Sequence, residues 1–219
     1  MFTLFVFQKQ TDRAAGGASF PELDPSWRAT PSQAAITAYD VLVCAERLGQ
    51  RSTVLDPSPF NEIRKIAFTD ESDMLAMRSQ LDKCSANGTA PAQTRVIATE
   101  TFEQRCLPHG QDRRTLFVPV RKRRGMSRDA FHTHWFGHAK LILEVVPGIR
   151  GYLQHHTTKR AYECDSDSWD GVAQFWFDSL DAVEGLPRTD PESFARVAAD
   201  ELAFLGSVPL ENYVGVFAA

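Results

Sequence analysis

The stretch from Ser127 to Gly148, SRDAFHTHWFGHAKLILEVVPG, decides the fold of this chain. Ser127 is a favourable N-cap for a helix over residues 128–146, Asp129 suits its first turn, and Pro147-Gly148 ends it. At about 100° per residue, five apolar side chains form one stripe along this helix: Phe131, Trp135, Ala139, Ile142 and Val146. The stretch therefore predicts an amphipathic helix that packs its apolar face on a sheet.

The strand pattern around this helix recurs weakly in the other half of the chain. Residues 61–70 and 170–179 are both short alternating strands that run into a polar helix start, about 109 residues apart. Residues 3–7 resemble residues 115–120 at a similar offset. In the first half, the slot of the helix is residues 19–27, where Pro21 and Pro25 leave room for little more than one helical turn. The first half thus keeps its strands and lacks its first helix.

Composition excludes several classes of protein. The 219 residues include 24 Lys and Arg against 28 Asp and Glu, a formal charge of −4, which does not indicate a nucleic-acid or membrane-surface partner. No apolar run approaches the ~18 residues of a membrane span, and the amino terminus lacks the features of a secretory signal. The four cysteines are widely spaced, which predicts reduced thiols in a cytoplasmic protein: Cys44, Cys84, Cys106 and Cys164.

Histidines are concentrated on the predicted helix and on the strand that follows it. His134 and His138 lie one turn apart at the edge of the apolar stripe, with His132 on the opposite edge. His155 and His156 are neighbours on the strand, so they point to opposite faces of the sheet and only one of them faces the helix.

This cluster has three interpretations. A metal site is disfavoured, because no Cys, Asp or Glu completes a local set of ligands around His134 and His138. The histidines can instead be amphipathic residues at a core margin, satisfied by backbone or water. The third interpretation is one neutral imidazole in an apolar cleft that acts as general base or acid. His138 is the first candidate, since Trp135 and Val145 would desolvate it. No GxGxxG, P-loop, GxSxG or CxxC motif is present, so the sequence predicts no cofactor and no metal.

The second half resembles a known family. Residues 123–139, RRGMSRDAFHTHWFGHA, followed by PGIRGY at 147–152 and by His155-His156, resemble an EthD domain, a family of the dimeric α+β barrel proteins. Residues 170–178, DGVAQFWFD, resemble the third strand of that family. The likeness extends from Thr115 to Phe217, whereas the first half shares only its strand pattern.

The resemblance implies an α+β fold of two ferredoxin-like units, β-α-β-β-α-β, whose antiparallel sheets face each other as a dimeric-type α+β barrel. A four-stranded sheet with helices on one face needs a second sheet on its other face, and here one chain supplies both. The expected domains are a degenerate repeat at residues 1–105, a linker at 106–114 and an EthD domain at 115–219. The missing helix opens one flank, either for substrate entry or for a second subunit in a homodimer.

The resemblance also implies a site in the second half. Related barrels include cofactor-free isomerases, dehydratases, decarboxylases and oxygenases that act on aromatic or polyketide-like molecules, and some bind haem. By this analogy His138 is the acid/base, assisted by His134 and by one of His155 and His156. The implied cleft is lined by six aromatic residues: Phe131, Trp135, Tyr152, Phe175, Trp176 and Tyr213.

These features favour a cofactor-independent lyase or isomerase that moves a proton on a small aromatic or polyketide-like carbonyl compound. One alternative is a non-catalytic accessory protein of a catabolic pathway that binds a small hydrophobic or aromatic ligand. The other is a haem-binding, oxygenase-like protein.

Overall fold

Thirteen elements make up the part of the chain that the structure describes. This computed structural model describes residues 1–8, 36–48, 55–56, 60, 62–86, 94–106, 114–146, 148–165, 169–177, 190–205 and 212–217. The elements of the first half are β1 (Phe2–Gln8), β2 (Ile36–Leu48), β3 (Leu55–Asp56), β4 (Glu62–Phe68), α1 (Glu71–Ala86) and β5 (Thr94–Arg105). Those of the second half are β6 (Arg114–Val120), α2 (Arg128–Val145), β7 (Ile149–Thr157), α3 (Lys159–Cys164), β8 (Gly171–Phe177), α4 (Pro191–Phe204) and β9 (Asn212–Phe217).

Eight of these strands form a closed antiparallel ring. The order is β2-β4-β1-β5-β7-β8-β6-β9, and β9 pairs back to β2, while the short β3 adds to β2 alone. Each half contributes four consecutive strands of the ring, β2-β4-β1-β5 and β7-β8-β6-β9. The halves meet at two seams, β5 with β7 and β9 with β2. The predicted α+β fold, with the two sheets facing each other as a barrel, is confirmed.

Polar side chains cap the amino-terminal ends of α2 and α4, and the cap of α2 is the predicted Ser127. The Ser127 hydroxyl accepts a hydrogen bond from the Ala130 N–H at 3.2 Å, and α2 ends at Val145, one residue before the predicted end. Asp190 accepts from the Ser193 N–H at 3.0 Å and caps α4, whose first residue is a proline. Gly148 enters β7 with φ +86°, a conformation that side chains with a Cβ rarely adopt. No helix in the described part of the chain is long and apolar enough to span a membrane.

The buried apolar residues form three clusters. The first lies between the second-half sheet and helices α2 and α4, around Phe131, Trp135 and Phe204. The second lies between the first-half sheet and α1, around Met74 and Met77. The third fills part of the barrel interior. Two compartments between helices and sheet therefore flank one enclosed interior.

Two sequence predictions fall outside the described residues. The segment at residues 19–27, predicted to have lost its helix, is one of them, and the central part of the 106–114 linker is the other. β5 ends at Arg105 and β6 begins at Arg114, the last residue of the predicted linker, and the proposed domain limits stay a prediction.

Candidate functional site

The alternation of β7 separates the two strand histidines. His156 faces α2, where its ring stacks on Trp135 with centroids 4.2 Å apart. His155 faces the barrel interior, where its ring meets the edge of Phe5 at 4.7 Å. Both are buried. The sequence required the two to point apart, and the structure assigns His156 to the compartment between α2 and the sheet.

In the same compartment, His138 forms a hydrogen-bonded pair with Asp200 of α4. Its Nδ1 lies 2.6 Å from the Asp200 Oδ2, and its side chain is 4% exposed. A carboxylate only accepts, so Nδ1 carries the proton and donates. The neutral ring then keeps a lone pair on Nε2, for which no hydrogen-bond partner is found among the described residues. His134 reaches the other oxygen, with its Nε2 3.1 Å from Oδ1.

The two partners shift each other's pKa. Burial lowers the pKa of His138, and the hydrogen bond and charge of Asp200 oppose that shift only in part. Burial by itself would raise the pKa of Asp200, but the hydrogen bonds from His138 and His134 outweigh it and lower that pKa. His138 is therefore neutral near pH 7 and Asp200 is ionised, which is the state a general base requires.

Glu201 adds a second titratable group beside this pair. Burial, and next the charge of Asp200, raise the pKa of its carboxyl to about 7. Complete burial is the main cause that raises the pKa of Tyr152, and the charge of Glu201 is the last contribution to that shift. Near neutral pH, Glu201 is thus present in both protonation states, and it can give or take a proton.

A chain of polar side chains runs from Tyr152 away from the His138 pair. The Gln154 amide donates to the Tyr152 hydroxyl at 2.9 Å and to the Trp135 carbonyl at 2.7 Å. Its Oε1 lies 3.2 Å from Nε2 of His156. Nδ1 of His156 lies 2.8 Å from Nδ1 of His132. These hydrogen bonds fix the orientations of the Tyr152, His156 and His132 rings between the sheet and α2.

This row of hydrogen-bonded side chains has fewer protons than its contacts require. Burial lowers the pKa of His156 to about 3, so the ring is neutral, donates from Nε2 to Gln154 and accepts at Nδ1 from His132. Burial also lowers the pKa of His132, whose Nε2 then has to accept. Its neighbour Tyr162 has one hydroxyl proton for three acceptors, the His132 Nε2 at 3.1 Å, the Asp170 Oδ1 at 2.9 Å and the Asp170 carbonyl oxygen at 3.4 Å. One added proton on His132 would let that ring donate to the Tyr162 hydroxyl, whose own proton would then be left for Asp170.

The predicted aromatic lining divides between two faces of the sheet. Four of the six residues lie in the first apolar cluster, in the same compartment as His138: Phe131, Trp135, Tyr152 and Phe175. Trp176 follows Phe175 on β8 and therefore points the other way, into the barrel, where Lys65 lies 5.8 Å from its ring centre. The placement of Trp176 in the same cleft was thus wrong. Tyr213 pairs through its backbone with Phe117, and its side chain is outside the described set.

His155 has no free ring nitrogen. Its Nδ1 lies 2.9 Å from the Thr101 hydroxyl and its Nε2 3.0 Å from the Gln174 Oε1. Complete burial lowers its pKa well below the ordinary value. Its position and its satisfied hydrogen bonds fit a structural role in the barrel, apart from the compartment that holds His138.

Within the described part of the chain, no three His, Cys, Asp or Glu side chains converge as a metal-binding group. The two imidazoles at Asp200 bond to its carboxylate rather than to a common point.

Sequence reasoning missed the acidic partners on α4. Asp200 and Glu201 lie three and four residues after Val197, which is buried, and Phe204 is buried after them. On a helix these spacings place both acids beside the packed face, which was a usable signal. Their pairing with His134 and His138 depends on how α2 and α4 pack, which spacing does not give.

A family comparison matches part of the chain that contains this site. The EthD domain model matches residues 123–207, which include α2, β7, β8 and α4. This part of the chain is therefore similar to an EthD domain. Both His138 and Asp200 belong to the matched segment, whereas the first-half sheet lies outside it. No curated protein sequence matches the chain.

Solved structures show the same fold as this chain at low sequence identity. An anthrone oxidase-like protein is 14% identical with a TM-score of 0.58, over 100% of this chain and 91% of that chain. Chlorite dismutase from Candidatus Nitrospira defluvii, in complex with imidazole, is 13% identical with a TM-score of 0.53, over 100% and 90%. A heme-binding protein from Thermus thermophilus is 10% identical with a TM-score of 0.50, over 100% and 91%. These likenesses concern the fold alone.

Proposed function

We propose that this protein is an enzyme that moves a proton on a small aromatic or polyketide-like carbonyl compound, as a lyase or isomerase. The observation that carries the proposal is the His138–Asp200 pair, because it leaves an unprotonated Nε2 in a buried apolar compartment. The carboxylate fixes the tautomer and stabilises the imidazolium that forms.

The chemistry assigned to these residues balances in protons. Nε2 of His138 takes a proton from carbon next to a carbonyl group, and the electron pair moves to the carbonyl oxygen as an enolate. The protonated Glu201 carboxyl, whose pKa is about 7, donates a hydrogen bond or its proton to that oxygen. In a β,γ-unsaturated substrate, return of the proton from His138 to the γ-carbon gives an isomer, and Glu201 regains its proton as the carbonyl re-forms. When a β-substituent instead leaves with its electron pair, the His138 imidazolium protonates it, and the products are the leaving group and an unsaturated carbonyl compound.

The aromatic character of the compartment supports an aromatic ligand. Tyr152 and Phe175 stack with centroids 4.3 Å apart, and Phe131 lies 5.6 Å from Trp135. Such surfaces bind planar rings through offset or edge contacts. The proposed partner is a small hydrophobic or aromatic molecule. The proposal also includes a homodimer in which a second copy covers the first-half flank.

Haem binding has one observation in its favour and one against it. A histidine that donates one ring N–H to a carboxylate and keeps the other nitrogen free, as His138 does, is the usual arrangement of a metal-ligating histidine. A haem, however, needs a slot between sheet and helix. Trp135 occupies that space, stacked on His156 and so close to Gly171 that an added Cβ there would be 2.5 Å from its ring. The described residues do not fit haem, and no catalytic step is assigned to it.

Proton exchange tests the proposal without knowledge of the natural product. Enolisable aromatic ketones are incubated with the protein in D₂O, and loss of the C–H signal is followed by NMR. We expect catalysed exchange, lowered about 10²–10⁴-fold by His138→Ala. Asp200→Asn is expected to lower it too, since the amide no longer fixes the tautomer.

His134→Gln is the matched control, because it keeps a donor beside Asp200 and alters a side chain that is 32% exposed. It should retain most of the exchange. Equal rates in wild type and a folded His138→Ala variant would remove His138 as the base. Ligand-induced stabilisation without any exchange would favour the non-catalytic binding protein instead.

A further inference from the structure

The barrel interior has an apolar half and a polar half. The apolar half is the third cluster: Phe5, Phe7, Phe60, Ile63, Ile97, Phe117, Trp169 and Val172. The polar half carries small and polar side chains on the inward positions of β1, β5, β6, β7 and β8: Thr3, Thr99, Thr101, Thr115, His155, Gln174 and Trp176. This region is separated by the sheet from the compartment of His138.

Three polar atoms in this half have no hydrogen-bond partner in the described part of the chain. They are Oγ1 of Thr115, Nε2 of Gln174 and Nε1 of Trp176. Thr115 and Gln174 are 0% exposed and Trp176 is 4% exposed. Buried polar groups in folded proteins are nearly always paired, and an unpaired one costs stability. Three together on two adjacent strands indicate a partner that the described residues do not supply.

The unpaired atoms lie close to one another. Thr115 of β6 is directly opposite Trp176 of β8, and Gln174 is two residues before Trp176 on the same face. The orientation of Gln174 is fixed by the bond between its Oε1 and the His155 ring at 3.0 Å. Its amide N–H groups are therefore free to point elsewhere.

The three unpaired atoms require a ligand that accepts hydrogen bonds. An amide nitrogen and an indole nitrogen only donate, and a hydroxyl donates as readily as it accepts. Lys65 brings an ammonium group across the barrel to within 5.8 Å of the Trp176 ring centre. Lys65 is half-buried, so this end of the interior reaches solvent. A single water molecule offers two lone pairs, whereas a carboxylate accepts at about four positions.

We propose that the polar half of the barrel interior binds a small organic carboxylate through Thr115, Gln174 and Trp176, with Lys65 as the nearby positive charge. This site is distinct from the His138 compartment and does not depend on its activity. The bound carboxylate would accept hydrogen bonds from the polar groups of the interior that otherwise have no partner among the described residues.

The indole N–H of Trp176 reports directly on this site. Acetate, propionate and benzoate are titrated into ¹⁵N-labelled protein, with acetamide, propionamide and benzamide as neutral analogues of the same shape. The Trp176→Phe variant assigns the cross-peak among the four tryptophans. We expect at least one carboxylate to move the Trp176 cross-peak saturably, with its amide binding more weakly. A cross-peak that none of the three carboxylates moves would overturn the proposal, since the donors would then be hydrated only.

Two isosteric variants localise the binding. Thr115→Val removes an unpaired hydroxyl, and binding should weaken about tenfold or more because a charge-assisted hydrogen bond is lost. Thr99→Val is the matched control, because that hydroxyl already donates to the Thr3 carbonyl at 2.8 Å. It should leave the affinity within about threefold. Equal affinities for wild type and Thr115→Val would place the carboxylate elsewhere and refute the assignment.

Discussion

Replacing Glu201 by glutamine tests the buried carboxyl beside the His138 pair. In the folded protein its pKa is about 7, against an ordinary value of 4.5, chiefly because of burial. The difference of about 2.5 units corresponds to about 3 kcal/mol. This is an upper limit for the cost of ionising Glu201 in the fold, because solvent screens part of it.

The sign follows from proton binding. Between pH 4.5 and 7 the folded state holds this proton more tightly than the unfolded state does, so the free energy of unfolding falls as pH rises through that interval. Below pH 4.5 both states are protonated and Glu201 costs nothing. Glutamine imitates the protonated carboxyl at every pH. Glu201→Gln should therefore raise the free energy of unfolding by up to about 3 kcal/mol at pH 8 and by under about 1 kcal/mol at pH 5.

Urea unfolding followed by tryptophan fluorescence and by far-UV circular dichroism measures this difference, provided that the two transitions coincide. Glu192→Gln is the matched control, since Glu192 is an exposed residue of the same helix. Its effect should stay within about 0.5 kcal/mol at both pH values. An equal gain for Glu201→Gln at pH 5 and pH 8, or a loss at pH 8, would refute the raised pKa.

Two further predictions concern the packing around α2. Gly171→Ala places a Cβ 2.5 Å from the Trp135 ring and should lower the free energy of unfolding by about 1–3 kcal/mol in the same assay, whereas Gly137→Ala, with nothing within 4 Å, should raise it by about 0.5–1 kcal/mol. The imidazole of His156, with a pKa of about 3, should stay neutral from pH 8 to pH 5 when its Cε1–H shift is followed by NMR, and a midpoint near 6.5 would show that it is not buried against Trp135.

Local signals in the sequence were sufficient for the elements and the fold. The cap at Ser127 and the stop at Pro147-Gly148 placed α2 to within one residue, because caps and glycine turns act over only a few residues. The repeated strand pattern and the family resemblance together implied two facing sheets. Closure of the ring between β2 and β9 agrees with that prediction.

Contacts between distant elements were beyond the same reasoning. The sequence identified His138 as the candidate base but gave no sign that Asp200, 62 residues away, would hold its Nδ1. Side chains alternate between the two faces of β7, and this alternation decides whether His155 or His156 contacts α2. A bulge near the start of β7 shifts the alternation, and the sequence does not reveal that bulge. Trp176 was a different kind of error, since adjacent residues of a strand never share a face and Phe175 already pointed to α2.

Both seams of the ring join strands of the same chain, and this frees the barrel from two-fold symmetry. In a homodimer every substitution appears twice, so two equivalent compartments change together. Here the apolar cluster under α1 consists of methionine, aliphatic and phenylalanine side chains, while the compartment under α2 holds histidines and acids. The ligand site proposed beneath α2 therefore has no counterpart of the same chemistry beneath α1, and we expect titration with a ligand of that site to saturate at one molecule per polypeptide.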